Sequence, residues 1–274
     1  MQGNENQTTK PGGLSPLSGG LAGLDRFTSN LPKSAMILVA ARPFMGKTAL
    51  ALQMARQLFL HRNKPVAYFT PGIAKEQIVQ RMLSAEIEIN LEKIISGQLT
   101  HDELCKLSAS AEQISEALFY IFDETVHSID KIHEKLYQLK KHSGLEAVFI
   151  DYLKLMPGRR NLNSRKQEFV EITKELKEVA EELQLPVILL SQLSRALEKR
   201  TDRRPVLNDL LEYGEIESSA DMIMFIYRDS YYNKMPDMED IAEVIVAKNS
   251  YGSTGKIDLI YSEQYQKYID TPEA

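Results

Sequence analysis

The sequence predicts an α/β fold: a mainly parallel sheet flanked by helices, with antiparallel strands at the C-terminal edge. Three observations predict it. Short apolar runs at 35–39, 66–69, 118–122, 147–150 and 186–190 alternate with stretches of helical length, the pattern of parallel strands joined by crossover helices. Residues 34–55 pass from one such run through a tight loop into a helix beginning at Gly46-Lys47-Thr48. The last apolar runs, 221–227, 241–247 and 256–261, are joined by short turns, which pairs them antiparallel.

Taken in order, residues 1–13 are polar and rich in Gly, Asn, Gln and Thr and read as a disordered tail or linker. The rest, 14–274, is expected to form one domain. Residues 14–31 carry scattered apolar residues, expected to pack on the core edge or on a neighbouring subunit. Residues 48–61 form a helix with Leu52, Ala55, Leu58 and Phe59 inward. Pro65 breaks the chain before the 66–69 strand, and Thr70-Pro71-Gly72 makes a sharp turn. Helices are expected at 75–86, at 91–117 with a break at Ser96-Gly97, and at 128–141. Residues 159–166 read as a polar, basic loop. Phe169, Ile172, Leu176, Val179 and Leu183 then recur at steps of three and four, the strongest helical signal in the chain. No internal repeat is visible.

The chain has 274 residues, 43% hydrophobic and 26% charged, enough for a sizeable core. Its net charge of −5 argues against indiscriminate polyanion binding over the whole surface, although local basic loops remain. The single cysteine, Cys105, excludes an internal disulfide and fits a reducing cytoplasm. It reads as a helix-surface or core thiol. No apolar run approaches the length of a membrane span, and no signal peptide opens the chain.

The chemistry concentrates at the first loop. Its N–H groups and the positive end of the next helix would face one concavity, so an anion belongs there. Ala41, Arg42, Pro43, Phe44, Met45, Gly46, Lys47, Thr48 and Ala49 form the candidate nucleotide-binding segment. Lys47 would reach the β/γ-phosphates and the Thr48 hydroxyl would ligate Mg²⁺. The pattern is incomplete: Ala41 stands where Gly is usual, and Pro43 lacks an N–H. An ordinary turn before a helix is the competing reading. Asp151 closes the 147–150 strand, where an ATPase keeps the carboxylate of its Mg²⁺ shell; alone it would read as a turn residue. Gln192 ends the next strand, where a carboxamide can sense the γ-phosphate. Loop 41–48, Asp151 and Gln192 all fall at strand carboxyl ends and are expected to converge.

Four segments, 41–48, Ile150-Asp-Tyr-Leu-Lys-Leu155, Ser191-Gln-Leu-Ser-Arg195 and Phe225-Ile-Tyr-Arg-Asp229, together with Asp25-Arg26, resemble the motor domain of DnaB-type replicative DNA helicases. The resemblance runs over about 14–270, and Ala41 for Gly is a family habit. It implies a RecA-like fold, ATP and Mg²⁺ as ligands, and a ring of six around single-stranded DNA, with nucleotide consumed between subunits. It also implies contact with replisome proteins such as a helicase, loader or primase, and a cytoplasmic location. The family's N-terminal helical domain is not in this sequence, which is read as a fragment or as a motor domain encoded alone.

Three departures from the resemblance carry information. Where the family ends its second strand with Ser-Leu-Glu-Met, this chain has Thr70-Pro71-Gly72-Ile73, so Gly72 replaces the Glu that activates water. Glu76, one turn later, is the candidate substitute, with Asp123 and Glu124 behind it. The family's Lys-x-Arg, which sends cations into the neighbour's site, is here Lys248-Asn249-Ser250. Lys248 remains, but it is a poor replacement for a planar guanidinium. In the DNA loop, Arg-Glu-Ser-Gly becomes Leu211-Glu212-Tyr213-Gly214, where Tyr213 offers a base-stacking ring in place of a cation. Candidate DNA contacts are Glu212, Tyr213 and Gly214, and two basic stretches: Arg159, Arg160, Arg165 and Lys166, then Arg195, Lys199 and Arg200, with Arg203 and Arg204 beyond. A solvated charged loop is the alternative. The sequence thus reads as an ATP-binding helicase-family domain with weak or lost hydrolysis, or as a non-hydrolysing relative that joins or regulates a helicase ring or its loader.

Overall fold

The computed structural model describes residues 17–124, 128–151, 164–213, 216–233 and 240–272. The predicted tail at 1–13, and Arg159, Arg160 and Gly214, lie outside them, as do the side chains of Arg165, Glu212 and Tyr213. The elements run α1 (Ala22–Thr28), β1 (Met36–Ala41), α2 (Lys47–Phe59), β2 (Val66–Phe69), α3 (Lys75–Ile87), α4 (Leu91–Ser96), α5 (His101–Glu116), β3 (Phe119–Phe122), α6 (Ile129–Ser143), β4 (Ala147–Ile150), α7 (Arg165–Leu183), β5 (Val187–Gln192), α8 (Ile216–Ser219), β6 (Met222–Arg228), β7 (Ile241–Asn249), β8 (Gly255–Ser262) and β9 (Lys267–Asp270). Short 3-10 turns at Arg195–Lys199 and Leu207–Tyr213 link β5 to α8.

The nine strands form one sheet in the order β3-β2-β4-β5-β1-β6-β7-β8-β9. Pairings from β3 to β6 are parallel, and β6 to β9 are antiparallel. The central strands are buried on both faces because helices cover both, which is why they read as continuous apolar runs. Alternate β1 residues divide the core. Ile37 and Val39 pack with Leu50, Met54 and Met82. Met36 and Leu38 pack with Ile132, Leu136, Ile172 and Leu176 on the other face.

Capping residues set several helix starts. Thr100 and Glu103 form a reciprocal capping box on α5, and the Ser164 hydroxyl accepts from Gln167 N–H at the start of α7. That cap corrects the basic loop expected at 159–166: Arg165 and Lys166 belong to the first turn of α7. Cys105 is exposed on α5. Leu17, Leu21, Leu24 and Leu31 are buried in the core, so the segment before β1 packs on its own domain. Asp25 orders it by accepting from Ser18 Oγ at 2.6 Å and Gly19 N–H at 2.7 Å. None of the described helices is long and apolar enough to cross a membrane.

Core packing reaches directly into the site. Phe149 on β4 is fully buried and its ring lies 5.8 Å from that of Tyr68 on β2. Phe149→Ala is therefore expected to cost about 3–5 kcal/mol of stability, read by urea unfolding. A loss below about 1 kcal/mol would mean that this contact is not close-packed.

Candidate nucleotide site

The parallel register brings the strand ends together. Ala41 lies beside Gln192, Ile150 beside Leu189, and Phe69 beside Ile150. Asp151 N–H then donates to Phe69 C=O at 2.8 Å. Lys47, Thr48, Asp151 and Gln192 consequently line one cavity of about 370 Å³ with Phe44, Gly46 and Ala49. The convergence expected from the sequence is present. Ligands of doubly wound sheets lie at such carboxyl ends.

Thr48 Oγ1 donates to Asp151 Oδ2 at 2.7 Å, and Tyr68 OH reaches the same oxygen at 3.1 Å. Asp151 is buried. Burial raises its pKa, opposed by the Thr48 hydrogen bond and by the charge of Lys47. Burial likewise lifts the Tyr68 phenol well above its ordinary value, and Asp151 adds to it. A hydroxyl beside a carboxylate is a hard-oxygen donor set that fits Mg²⁺, an ion that takes few protein ligands and completes its shell with phosphate and water.

Lys47 Nζ donates to the carbonyls of Ala41 and Arg42 at 3.2 and 3.0 Å. Desolvation lowers its pKa to about 8; Asp151 opposes the shift and Arg42 adds to it. Arg42 turns away from the cavity. Its guanidinium is buried against Glu198 Oε1 (2.8 Å) and Leu193 C=O (2.7 Å), which ties the loop to the segment after Gln192. Phe44 is 81% exposed and has φ of 64°, uncommon for a residue with a side chain.

The acidic candidates Glu76, Asp123 and Glu124 do not line the cavity. Thr70 to Ile73 is a turn closed by Ile73 N–H to Thr70 C=O at 3.2 Å, with Gly72 at φ 99°. Pro71 followed by a positive-φ Gly is the type II signature. Glu76, the candidate substitute, is exposed and belongs to a separate dent with Lys75, Val79 and Ile121; the structure does not bring it to the cavity. Asp123 accepts Lys75 N–H at the start of α3, and Glu124 pairs with Lys135. Lys248 donates to the carbonyls of Glu217 and Ala220, both at 2.7 Å, and Ser250 is exposed in the β7–β8 turn.

Of the basic residues after β5, Arg195, Lys199 and Arg204 are exposed. Arg200 is forked onto Asp209 (3.2 and 2.9 Å) and Arg204 onto Glu243 (2.8 and 2.6 Å). The first holds the segment's own shape and the second ties it to β7. Sequence reasoning missed Arg81, Tyr261, Glu263 and Gln266, which also line the cavity. They arrive from α3 and the β8–β9 region, and no local pattern marks them. The quoted Phe225–Asp229 segment did contain a signal without a role: Arg228 Nη1 donates to Phe44 C=O at 2.9 Å.

The chain matches the DnaB-like helicase C terminal domain family over residues 16–270. It belongs to that family. Replicative DNA helicase DnaC of Bacillus subtilis is 40% identical over 267 residues, 97% of this chain and 59% of the relative. Replicative DNA helicase DnaB of Geobacillus stearothermophilus is 41% identical over 95% of this chain and 58% of its own length. The chain thus spans somewhat over half the length of these curated relatives. A solved ATPase domain superposes with TM-score 0.89 at 35% identity, covering 95% of this chain and 93% of that one. The fold is RecA-like, with the mainly parallel sheet and antiparallel edge that the sequence predicted.

Proposed function

We propose that this DnaB-like domain binds ATP with Mg²⁺ at Lys47, Thr48 and Asp151, and that it works on single-stranded DNA in replication with little or no hydrolysis. The observation that carries the reading is the Thr48–Asp151 contact at 2.7 Å beneath the Lys47 loop, which joins two positions far apart in the chain into one metal-competent pair. Thr48 and Asp151 would hold Mg²⁺, which supplies charge neutralisation to the bound phosphates. The Lys47 ammonium would bind the β/γ-phosphates, and Gln192 would orient toward the γ-phosphate. Likeness to replicative helicases supports a ring-shaped homo-oligomer, a hexamer by analogy, in the cytoplasm. One similar solved structure is described as a DnaB-like replicative helicase and its interactions with primase; primase, a loader or a helicase ring is the corresponding class of partner here.

A second reading is favoured by the Gly72 turn and by Ser250: a non-hydrolysing relative that joins or regulates a helicase ring or loader. Titration of single-stranded DNA with and without Mg²⁺-ATP, across salt, separates the two. The first reading expects nucleotide-dependent DNA binding whose log K falls with log salt by about 0.7 per phosphate contacted. Of the described cations of the second basic stretch, Arg195, Lys199 and Arg204 are exposed, and Arg204 is already forked onto Glu243, so the slope should be modest, about −1.4 to −2.8 for two to four contacts. DNA affinity that is absent at low salt, alongside a stable complex with a replicative helicase, would replace the first reading by the second. Arg159, Arg160, Arg165 and Lys166 are the further candidates for phosphate contact, and Tyr213 for stacking.

A further inference from the structure

A phosphate loop works only if its N–H groups face the ligand, and turning them inward directs carbonyls outward, where each needs a donor. Three of these carbonyls are served from nearby. Ala41 C=O accepts from Leu193 N–H at 3.0 Å and from Lys47 Nζ. Arg42 C=O accepts from Lys47 Nζ and, at 3.4 Å, from Met45 N–H, and Gly46 C=O accepts from Leu50 N–H at 3.0 Å. Two more, those of Phe44 and Met45, draw their donors from the antiparallel edge. Phe44 C=O accepts from Arg228 Nη1 at 2.9 Å, and Met45 C=O from the Tyr268 hydroxyl at 3.1 Å.

These two carbonyls belong to the part of the loop that most needs holding. Phe44 has φ of 64° and Gly46 has φ of 95°. A Cβ on Gly46 would meet the Tyr268 hydroxyl at 2.1 Å, so only Gly lets that hydroxyl reach Met45. Both donors are themselves fixed. Arg228 pairs with Asp240 and stacks over the Tyr261 ring at 4.3 Å. Tyr268 is 1% exposed, and its backbone is clipped to α2 at both ends: its N–H donates to Gln53 Oε1 at 2.9 Å, and Gln53 Nε2 donates to its carbonyl at 3.0 Å.

We propose that Tyr268 and Arg228 are positioning residues for nucleotide binding: from strands that contribute nothing to the phosphate chemistry, they preset the 44–46 backbone so that the loop amides after Met45, whose own N–H turns back to Arg42 C=O at 3.4 Å, face the ligand. The proposal rests on the nucleotide reading above. Tyr268→Phe is the sharp test, because it keeps the ring and removes one O–H. Mg²⁺-ATP and Mg²⁺-ADP should both weaken by the same factor, about three- to tenfold, since the loop amides cradle phosphates common to both. Gln192→Ala, acting at the γ-phosphate, should weaken ATP alone. Arg228→Gln should repeat the Tyr268→Phe signature with a larger factor.

The unfolding midpoint of unliganded protein is measured alongside. Unchanged ATP and ADP affinities for Tyr268→Phe, whether or not its midpoint falls, would make the hydroxyl merely structural and overturn the proposal. So would a loss confined to ATP. If the parent protein binds neither nucleotide, and Lys47→Ala changes nothing, the underlying nucleotide reading fails and the proposal with it.

Discussion

Purified protein is expected to bind Mg²⁺-ATP yet release phosphate far below 1 s⁻¹, and Gly72→Glu is expected not to restore turnover. Typical enzymes turn over at about 10 s⁻¹, and a positioned general base contributes about 10²–10⁴ of that. A trans guanidinium contributes about 10³–10⁵; the two act as a unit and need not multiply. On the proposed reading Gly72 stands in place of the first and Ser250 of the second, so even one loss predicts about 0.1 s⁻¹ or less. The backbone explains why a single substitution should fail. Gly72 sits at φ 99° after Pro71, so a Glu there meets strain of about 1–2 kcal/mol and emerges from a turn of the wrong shape. Gly72→Glu should lower the melting midpoint without raising the rate. Glu263, the other carboxylate lining the cavity besides Asp151, comes from the β8–β9 turn beyond β6. It lies within 3.7 Å of Arg228. It is on the opposite side of β1 from β2 and Gly72, so Glu263→Gln should leave the residual rate unchanged. Steady phosphate release of 1 s⁻¹ or more by the parent, measured without DNA and with it, would refute the proposal of crippled hydrolysis.

The difference between what could and could not be read from sequence follows from range. The 35–39 run, the loop after it and the strand-terminal positions of Asp151 and Gln192 are local patterns, and parallel pairing then has little freedom about where their ends meet. The long α7 was legible because its apolar period is strict. Strand β9, by contrast, is four residues at a sheet edge with a mixed burial pattern, too short for periodicity to register. Helix α1 is seven residues without a side-chain cap and left no start signal. The same limit hid Arg81, Arg228 and Tyr268. Their roles depend on non-local packing: Tyr268 reaches Met45 across 223 residues. Two expected cations also have prior partners within this chain. The resemblance implies that Lys248 reaches a neighbour, but its ammonium lies on the Glu217 and Ala220 carbonyls. Arg200, read as a phosphate contact, is forked onto Asp209. Charge in a sequence announces a cation without saying which acceptor it will meet first.

Lys47→Ala is expected to weaken Mg²⁺-ATP binding at least 100-fold at pH 7, because about two charge-assisted hydrogen bonds of about 1.5–3 kcal/mol each are lost. The same residue predicts a pH dependence with an unusual sign. Burial lowers its pKa to about 8, with Arg42 pushing the same way and Asp151 opposing. A phosphate needs the ammonium form, so each pH unit above that value costs a factor of ten until the bound-state pKa is reached. ATP affinity should therefore fall about tenfold from pH 7 to pH 9. The unliganded fold responds in the opposite direction. A lysine whose folded pKa lies below its unfolded 10.5 destabilises the fold when charged. That penalty is fully present below about pH 8 and is relieved as pH rises toward 10.5. Over this window the protein should lose nucleotide affinity while its unliganded stability gains from this one group, and both trends should disappear in Lys47→Ala. Calorimetric titration and urea unfolding at pH 7, 8 and 9 measure the two directly. An ATP affinity flat across that range in the parent would mean that Lys47 holds its proton well above pH 9, with Asp151 outweighing burial at the loop.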